Sequence, residues 1–271
     1  MRISSKLLLV PLVASAMLLA GCTSPSVNAG PTGDSHLSQV LSNKKLRVAM
    51  IPDNPPSSTL TASGEWQGYD VDIALKLGEA LGAEVEFLST DGDNRLTMVQ
   101  TDKADVSIST FTPNNERAKS IEFTIPYTSS GSLPLFRADS GISSFADLAG
   151  KKVSLARGSS ADTLMTSRYP DTEVVRFDSI ADAFLALKTD KVDALIEDNP
   201  IVHELSNENP EFKTITGSPE NMGYIAMGVQ QGDQVWLNYL NNFINNMNIS
   251  GENNAMYVKW FGSEMPQLYG Y

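Results

Sequence analysis

One five-residue pattern occurs twice in this chain and limits the folds it can adopt. Thr97 to Ile108 reads TMVQTDKADVSI, and Leu185 to Ile196 reads LALKTDKVDALI. Thr-Asp-Lys-x-Asp therefore recurs from Asp102 to Asp190, 88 residues on. Each copy follows an amphipathic helical stretch and leads into a short apolar strand. Each also has a matching strand upstream, Leu46 to Met50 and Lys152 to Ala156. Chance agreement in a common helix-turn-strand pattern is the plain alternative. Two similar α/β lobes account for more of the chain.

The remaining periodicity agrees. Asp70 reads as the cap of a helix with Val71, Ala74, Leu75, Gly78 and Leu81 on one stripe, and Gly82 ends it. Strands are expected at Glu84 to Leu88, Val106 to Ser109, Glu173 to Phe177 and Val192 to Ile196. Helices are expected at Asn94 to Thr101, Ala161 to Arg168 and Ile180 to Leu187, with two more at Val235 to Met247 and Asn253 to Trp260. Ser144 with Asp147 three residues later is a capping box. Strands alternating with helices imply an α/β class with mainly parallel sheets flanked by helices.

The N-terminus bears on location. Arg2 and Lys6 precede an apolar run from Leu7 to Leu19, too short for a stable span, and Leu18-Leu19-Ala20-Gly21-Cys22 follows. Small residues before the chain's only cysteine are the pattern of a bacterial lipoprotein signal, cut before Cys22 and acylated on its thiol. The alternative is a secreted protein with a stray cysteine. Thr23 to His36 (TSPSVNAGPTGDSH) reads as a flexible tether. The expected plan is a signal over 1–21, a tether over 22–36, a first lobe from 37–131 and 226–271, and a second from 132–225. The domain would sit in the cell envelope, lipid-anchored and facing the periplasm or the exterior. The formal charge is −12, becoming −14 once Arg2 and Lys6 leave with the signal. That argues against a nucleic-acid partner and a polybasic membrane patch.

Ligands of open parallel sheets bind beyond the carboxyl ends of the strands. Those ends carry Thr110, Thr112, Arg117, Gly158-Ser159-Ser160 and Asp198. The Gly-Ser-Ser turn into a helix offers backbone N–H groups to an anion. Arg117 offers a planar fork for a carboxylate, and Asp198 an acceptor for an ammonium group. Together they suit the zwitterion of a free amino acid. Read singly, Arg117 and Asp198 are surface charges and Ser160 a helix cap.

Over about Lys44 to Gly262 the chain resembles the extracellular solute-binding proteins of ABC importers that carry polar amino acids. The resemblance rests on Gly68-Tyr69-Asp70-Val71-Asp72, Asp105 to Phe111, Glu116-Arg117-Ala118-Lys119, Phe123 to Tyr127, Gly158-Ser159-Ser160, Val192 to Asp198 and Lys259-Trp260-Phe261-Gly262, in this order. It implies a two-lobed clamshell with crossovers near Ser130 to Leu135 and Met222 to Ala226, and a membrane permease as partner of a monomer. It also implies that Arg117, Thr112 and the Ser160 amide hold an α-carboxylate and Asp198 an α-amino group. Asn94-Arg95 resembles a pair in members that take glutamate, aspartate or glutamine, which would turn Arg95 to the ligand side chain; a surface helix arginine is the alternative. Asn54 and Gly92 stand where members for basic amino acids place aromatic rings.

No cofactor and no metal are expected. Leu96 and Asp102 break the calcium-loop pattern begun at Asp91, and His36 and His203 are the only histidines. Asp70 and Asp72 read as a helix cap and a surface acid. Cyclohexadienyl dehydratases resemble the same family and use a cleft acid just past the position of Asp198. Ile201 takes that place here, although Glu204 is near, so a receptor is expected and not an enzyme. A sensor without transport stays open.

Overall fold

The computed structural model describes residues 35–268. The signal, Cys22 and most of the tether lie outside those residues. The chain runs α1 (His36–Asn43), β1 (Lys45–Met50), β2 (Asp53–Asn54), β3 (Ser58–Leu60), β4 (Trp66–Gln67), α2 (Tyr69–Leu81), β5 (Glu84–Ser89), α3 (Asn94–Gln100), β6 (Val106–Ser107) and β7 (Glu122–Arg137). It continues with β8 (Lys152–Ala156), α4 (Ser160–Arg168), β9 (Glu173–Phe177), α5 (Ile180–Lys188), β10 (Ala194–Asp198), α6 (Asn199–Glu208), β11 (Phe212–Thr214), β12 (Glu220–Val229), α7 (Gln234–Ser250) and α8 (Glu252–Phe261).

Two parallel trios, β5-β1-β6 and β10-β8-β9, form the two lobes. Strands β7 and β12 join them. They pair antiparallel from Val229↔Glu122 to Glu220↔Ser132, with three register shifts, so one sheet runs through both lobes. The sequence reading marked only crossovers here. Pro126, Gly131 and Pro134 break the strand pattern of β7, and only pairing with β10, β11 and β12 makes it 16 residues long.

Separate cores fill the lobes. Val48, Tyr69, Leu77, Trp236 and Ile244 belong to one. Phe145, Val153 and Leu164 lie on one face of the second lobe, and Leu135, Leu187 and Val202 on the other. Leu75 leaves the expected stripe of α2, being half exposed, while Ile73 and Leu77 are buried. The Trp236 indole donates to the Asp105 carbonyl (2.8 Å), docking α7 on the end of β6.

The repeat performs the same task twice. Thr101 and Thr189 each donate a hydroxyl to the carbonyl four residues back, Thr97 at 2.7 Å and Leu185 at 2.8 Å. Asp102 and Asp190 then turn left-handed, with φ of 57° and 55°, which ends each helix. The second aspartate clamps the upstream strand: Asp105 accepts from Arg47 N (2.7 Å) and Asp193 from Lys152 N (2.8 Å). We expect Asp193→Ala to remove one such bond and lower stability by about 1 kcal/mol, read as a melting shift of ~2–4 °C. Asp105→Ala should cost more, because Asp105 is buried and also pairs with the Arg47 guanidinium (2.6 Å).

The tether ends earlier than its composition implied. Ser35 caps α1, and His36 is its buried first residue. The His36 ring lies 3.0 Å from Asp233 and 3.1 Å from Asp102. Its ring and the Asp102 and Asp105 carboxylates could in principle gather round a cation. The Arg47 guanidinium already sits between the two carboxylates, so the cluster is an ion-pair network that seats α1. Among the described residues no helix is long and apolar enough to cross a membrane.

Candidate functional site

The carboxyl ends of the strands meet in one cavity between the lobes. The first lobe lines it with Ile51, Asp53, Asn54, Asp91, Gly92, Arg95 and Thr110. The second supplies Ala156, Ser159, Ser160, Asp178, Ile180, Glu197, Asp198 and Ile201. Five of the seven expected site residues, Arg95, Thr110, Ser159, Ser160 and Asp198, therefore share one space. Thr112 and Arg117 stand beside it: Arg117 Nη1 donates to the Thr112 carbonyl and Nη2 to the Gly158 carbonyl, both at 2.6 Å. Arg117 thus ties the first lobe to the turn that opens α4.

Arg95 is buried, not a surface residue of α3. Its Nη1 donates to the Ser109 carbonyl (2.5 Å), and its Nε is buried without a partner. The Phe111 ring carries both guanidiniums, Arg95 at 4.2 Å and Arg117 at 5.1 Å. Burial, reinforced by the charge of Arg117, pulls the Arg95 pKa down to about 9. Burial also lowers that of Arg117. Two cations held this close and this dry favour an anion between them.

Opposite them are two buried acids. Asp198 accepts from the Ser160 hydroxyl at 3.0 Å, and burial pushes its carboxyl up. Glu197 accepts from the backbone N–H groups of Ala156 (3.1 Å) and Asp198 (3.3 Å). The helix cap is Ser159, whose hydroxyl oxygen accepts from Asp162 N, so Ser160 is free to serve Asp198. The first-turn amides of α4 at Ser160 and Ala161 have no carbonyl behind them in the helix.

Asp70 is not the cap of α2. It lies inside the first turn, buried, with Gly68 at the cap position. Its Oδ2 accepts from Thr110 N (2.8 Å) and Oγ1 (3.1 Å), and its Oδ1 from the Tyr127 hydroxyl (2.9 Å). Asn54 completes the chain by donating to Thr110 Oγ1 (2.8 Å). These bonds hold Thr110 at a φ of 47°, a conformation a β-branched residue adopts only under constraint. A capping reading of Asp70 misses this because the partner is 40 residues away.

Asp53 and Ile180, which the sequence did not mark as site residues, also line the cavity, as does Asp91, marked only as the start of a broken calcium loop. Asp53 follows the end of β1, where the strand-end rule finds it; its carboxylate accepts from Ala181 N across the lobes (3.2 Å). The lobes also touch at Gly92, where an added Cβ would lie 2.5 Å from the Arg157 carbonyl oxygen. We expect Gly92→Val to keep the fold and to prevent this approach. Small-angle scattering should then show no compaction with ligand, and affinity should fall about tenfold. Undiminished affinity would count against Gly92 as the point of closest approach.

The geometry defines a two-lobed α/β protein of the binding-protein type, with a charged cavity at the strand ends. The chain belongs to the bacterial extracellular solute-binding proteins, family 3, whose model matches residues 46–263. It is similar to the ABC transporter glutamine-binding protein GlnH of Bacillus subtilis (strain 168), 30% identical over 260 residues, covering 91% of this chain and 93% of that one. It is also similar to ABC transporter arginine-binding protein 1 of Escherichia coli (strain K12), 26% identical, covering 80% and 91%. The crystal structure of the solute receptor for L-cysteine of Neisseria gonorrhoeae superposes with a TM-score of 0.80 at 30% identity, covering 83% and 92%. These relatives are amino-acid-binding proteins with different ligands.

Proposed function

We propose that this protein is the substrate-binding component of an ABC importer and closes its lobes around one polar amino acid. The observation that carries this is the buried Asp198 carboxyl set opposite the Arg95 guanidinium in one interlobe cavity, with the Arg117 guanidinium at its edge. A free amino acid presents the complementary pair of charges. In this reading its carboxylate takes the Arg117 fork, with the Thr112 side chain and the Ser160 amide beside it. Its ammonium group meets Asp198, and Thr110 and Ser159 complete the walls. The unpartnered Nε of Arg95 leans the side-chain preference to glutamate, aspartate or glutamine. Asn54 and Gly92 offer no ring to stack on an arginine or lysine.

The lobes meet at 131/132 and 225/226, acyl chains on Cys22 hold the protein at the envelope, and the monomer delivers its ligand to a membrane permease. Ligand contacts from the second lobe shift the population to the closed form.

Thermal unfolding of the purified protein against the twenty amino acids and prephenate tests this. A ligand at a hundred times its Kd adds about 2.7 kcal/mol. A shift with glutamate, aspartate, glutamine or asparagine is expected; no shift with any amino acid overturns the zwitterion reading. Prephenate is included for one reason. The chain is similar, with a TM-score of 0.77 at 29% identity, to an ancestral amino-acid-binding protein described as a precursor of cyclohexadienyl dehydratase. Apolar Ile201 lines the cavity and cannot act as a general acid, so turnover of prephenate is not expected.

A further inference from the structure

Glu197 plays no part in the zwitterion scheme, yet it is a buried acid on the wall of the ligand cavity. Among the described residues no cation forms an ion pair with it, Arg95 acting on it only at longer range. Among the described residues its hydrogen-bond donors are the backbone N–H groups of Ala156 and Asp198. Its chain neighbour Asp198 is a second buried acid, bonded to a neutral hydroxyl. The nearby cations are engaged elsewhere, Arg95 on the Ser109 carbonyl and Arg117 on those of Thr112 and Gly158. The other acids of the cavity already have donors: Asp53 has Ala181 N, Asp91 has Asn94 N, and Asp178 has the Arg157 guanidinium.

We propose that Glu197 is a positioning residue that holds a proton in the empty site and releases it when the ligand's ammonium group binds at Asp198, so that affinity rises with pH. The inference rests on the amino-acid reading above.

The physical basis is the cost of two adjacent buried negative charges. Burial first, and the charge of Asp198 second, push the Glu197 carboxyl up to about 8, with Asp53 adding to the effect. An ammonium group brought to Asp198 supplies the missing positive charge, and the carboxylate form of Glu197 becomes the favoured one. Proton release on binding makes affinity increase with pH. The limit is about tenfold per pH unit below the free-site pKa, levelling off above it. A group ionised in both states gives no slope.

The test uses the purified protein with 13C in its glutamate carboxyl carbons, and L-glutamine and L-glutamate as probes, whose own charges do not change between pH 6 and 8. In the ligand-free protein one resonance, absent from Glu197→Gln, should titrate near 8. A saturating probe should move its midpoint downward. Calorimetry in buffers of different ionisation heat should show proton release, and affinity should rise at least fivefold from pH 6 to 8 in the wild type and stay level in Glu197→Gln. A ligand-free midpoint near that of an ordinary glutamate overturns the proposal. So does binding with no pH slope, which leaves the receptor assignment standing. Failure of both probes and of every other amino acid to bind, with the resonance still titrating near 8, defeats the amino-acid reading and the coupling together while leaving the held proton in place.

Discussion

Arg117→Ala is expected to lower amino-acid affinity by roughly 100- to 1,000-fold and to leave the fold intact. Hydrogen bonds to a charged group are worth about 1.5–3 kcal/mol each, and the substitution removes a two-pronged donor. At 1.4 kcal/mol per factor of ten, two such bonds reach that range. It also removes the bond to the Gly158 carbonyl, a tie between the lobes. Stability should change little for a specific reason: the partly buried Arg117 sits beside the buried Arg95 over the same ring, and its charge disfavours the charged form of Arg95. Removing one relieves the other. Arg117→Lys should recover part of the affinity, because an ammonium group keeps the charge and lacks the fork. Calorimetric titration together with a thermal melt checks both statements. Retained affinity would remove Arg117 from the site; a collapsed melt would make it a structural residue.

Asp70→Ala should produce the largest loss of stability among the site variants, about 3 kcal/mol or more. It strands one buried donor, the Tyr127 hydroxyl, and two partly buried ones, the Thr110 amide and hydroxyl. Each unsatisfied buried group costs on the order of 1–3 kcal/mol. Asp70→Asn should be milder, since an amide oxygen can still accept from Thr110 and the Tyr127 hydroxyl can turn to accept. Both variants should weaken binding, because Asp70 supplies two of the bonds that hold Thr110 at its left-handed φ and Asn54 alone is left on its hydroxyl. The pH dependence has a definite sign. Burial raises the Asp70 carboxyl from 3.8 to about 6, so the folded state holds its proton more tightly than the unfolded one. This group's contribution is therefore greatest below about pH 4, falls as pH rises to about 6, and is constant above that. Denaturant melts at pH 4, 5, 6 and 7 should show that component in the wild type and lack it in Asp70→Asn. An identical pH profile in the two proteins would contradict the raised value.

Much of the plan was legible in the chain because it depends on local chemistry. The two Thr-Asp-Lys-x-Asp segments announce two lobes, since a hydroxyl back-bond, a left-handed aspartate and a strand clamp are all built within a few residues of one another. Gly82 and the Ser144 capping box set helix ends by the same short-range rules. The strand-end rule picked out Thr110, Ser159, Ser160 and Asp198, which line one cavity, and Thr112 and Arg117, which stand beside it; Arg95, in the same cavity, came from the family resemblance. What the chain could not show depends on partners distant in sequence. Strand β7 looks like a loop until β10, β11 and β12 satisfy its backbone. Asp70 looks like a cap until Thr110 and Tyr127 fold against it. Leu75 looks like core until the packing of α2 turns it outward. Glu197 looks like the end of a strand until burial beside Asp198 changes its acidity. Hydrophobic period, capping and turn chemistry act over a few residues and are written in the sequence. Burial, register and electrostatic coupling are properties of surfaces that meet only after folding, so only the tertiary structure decided them.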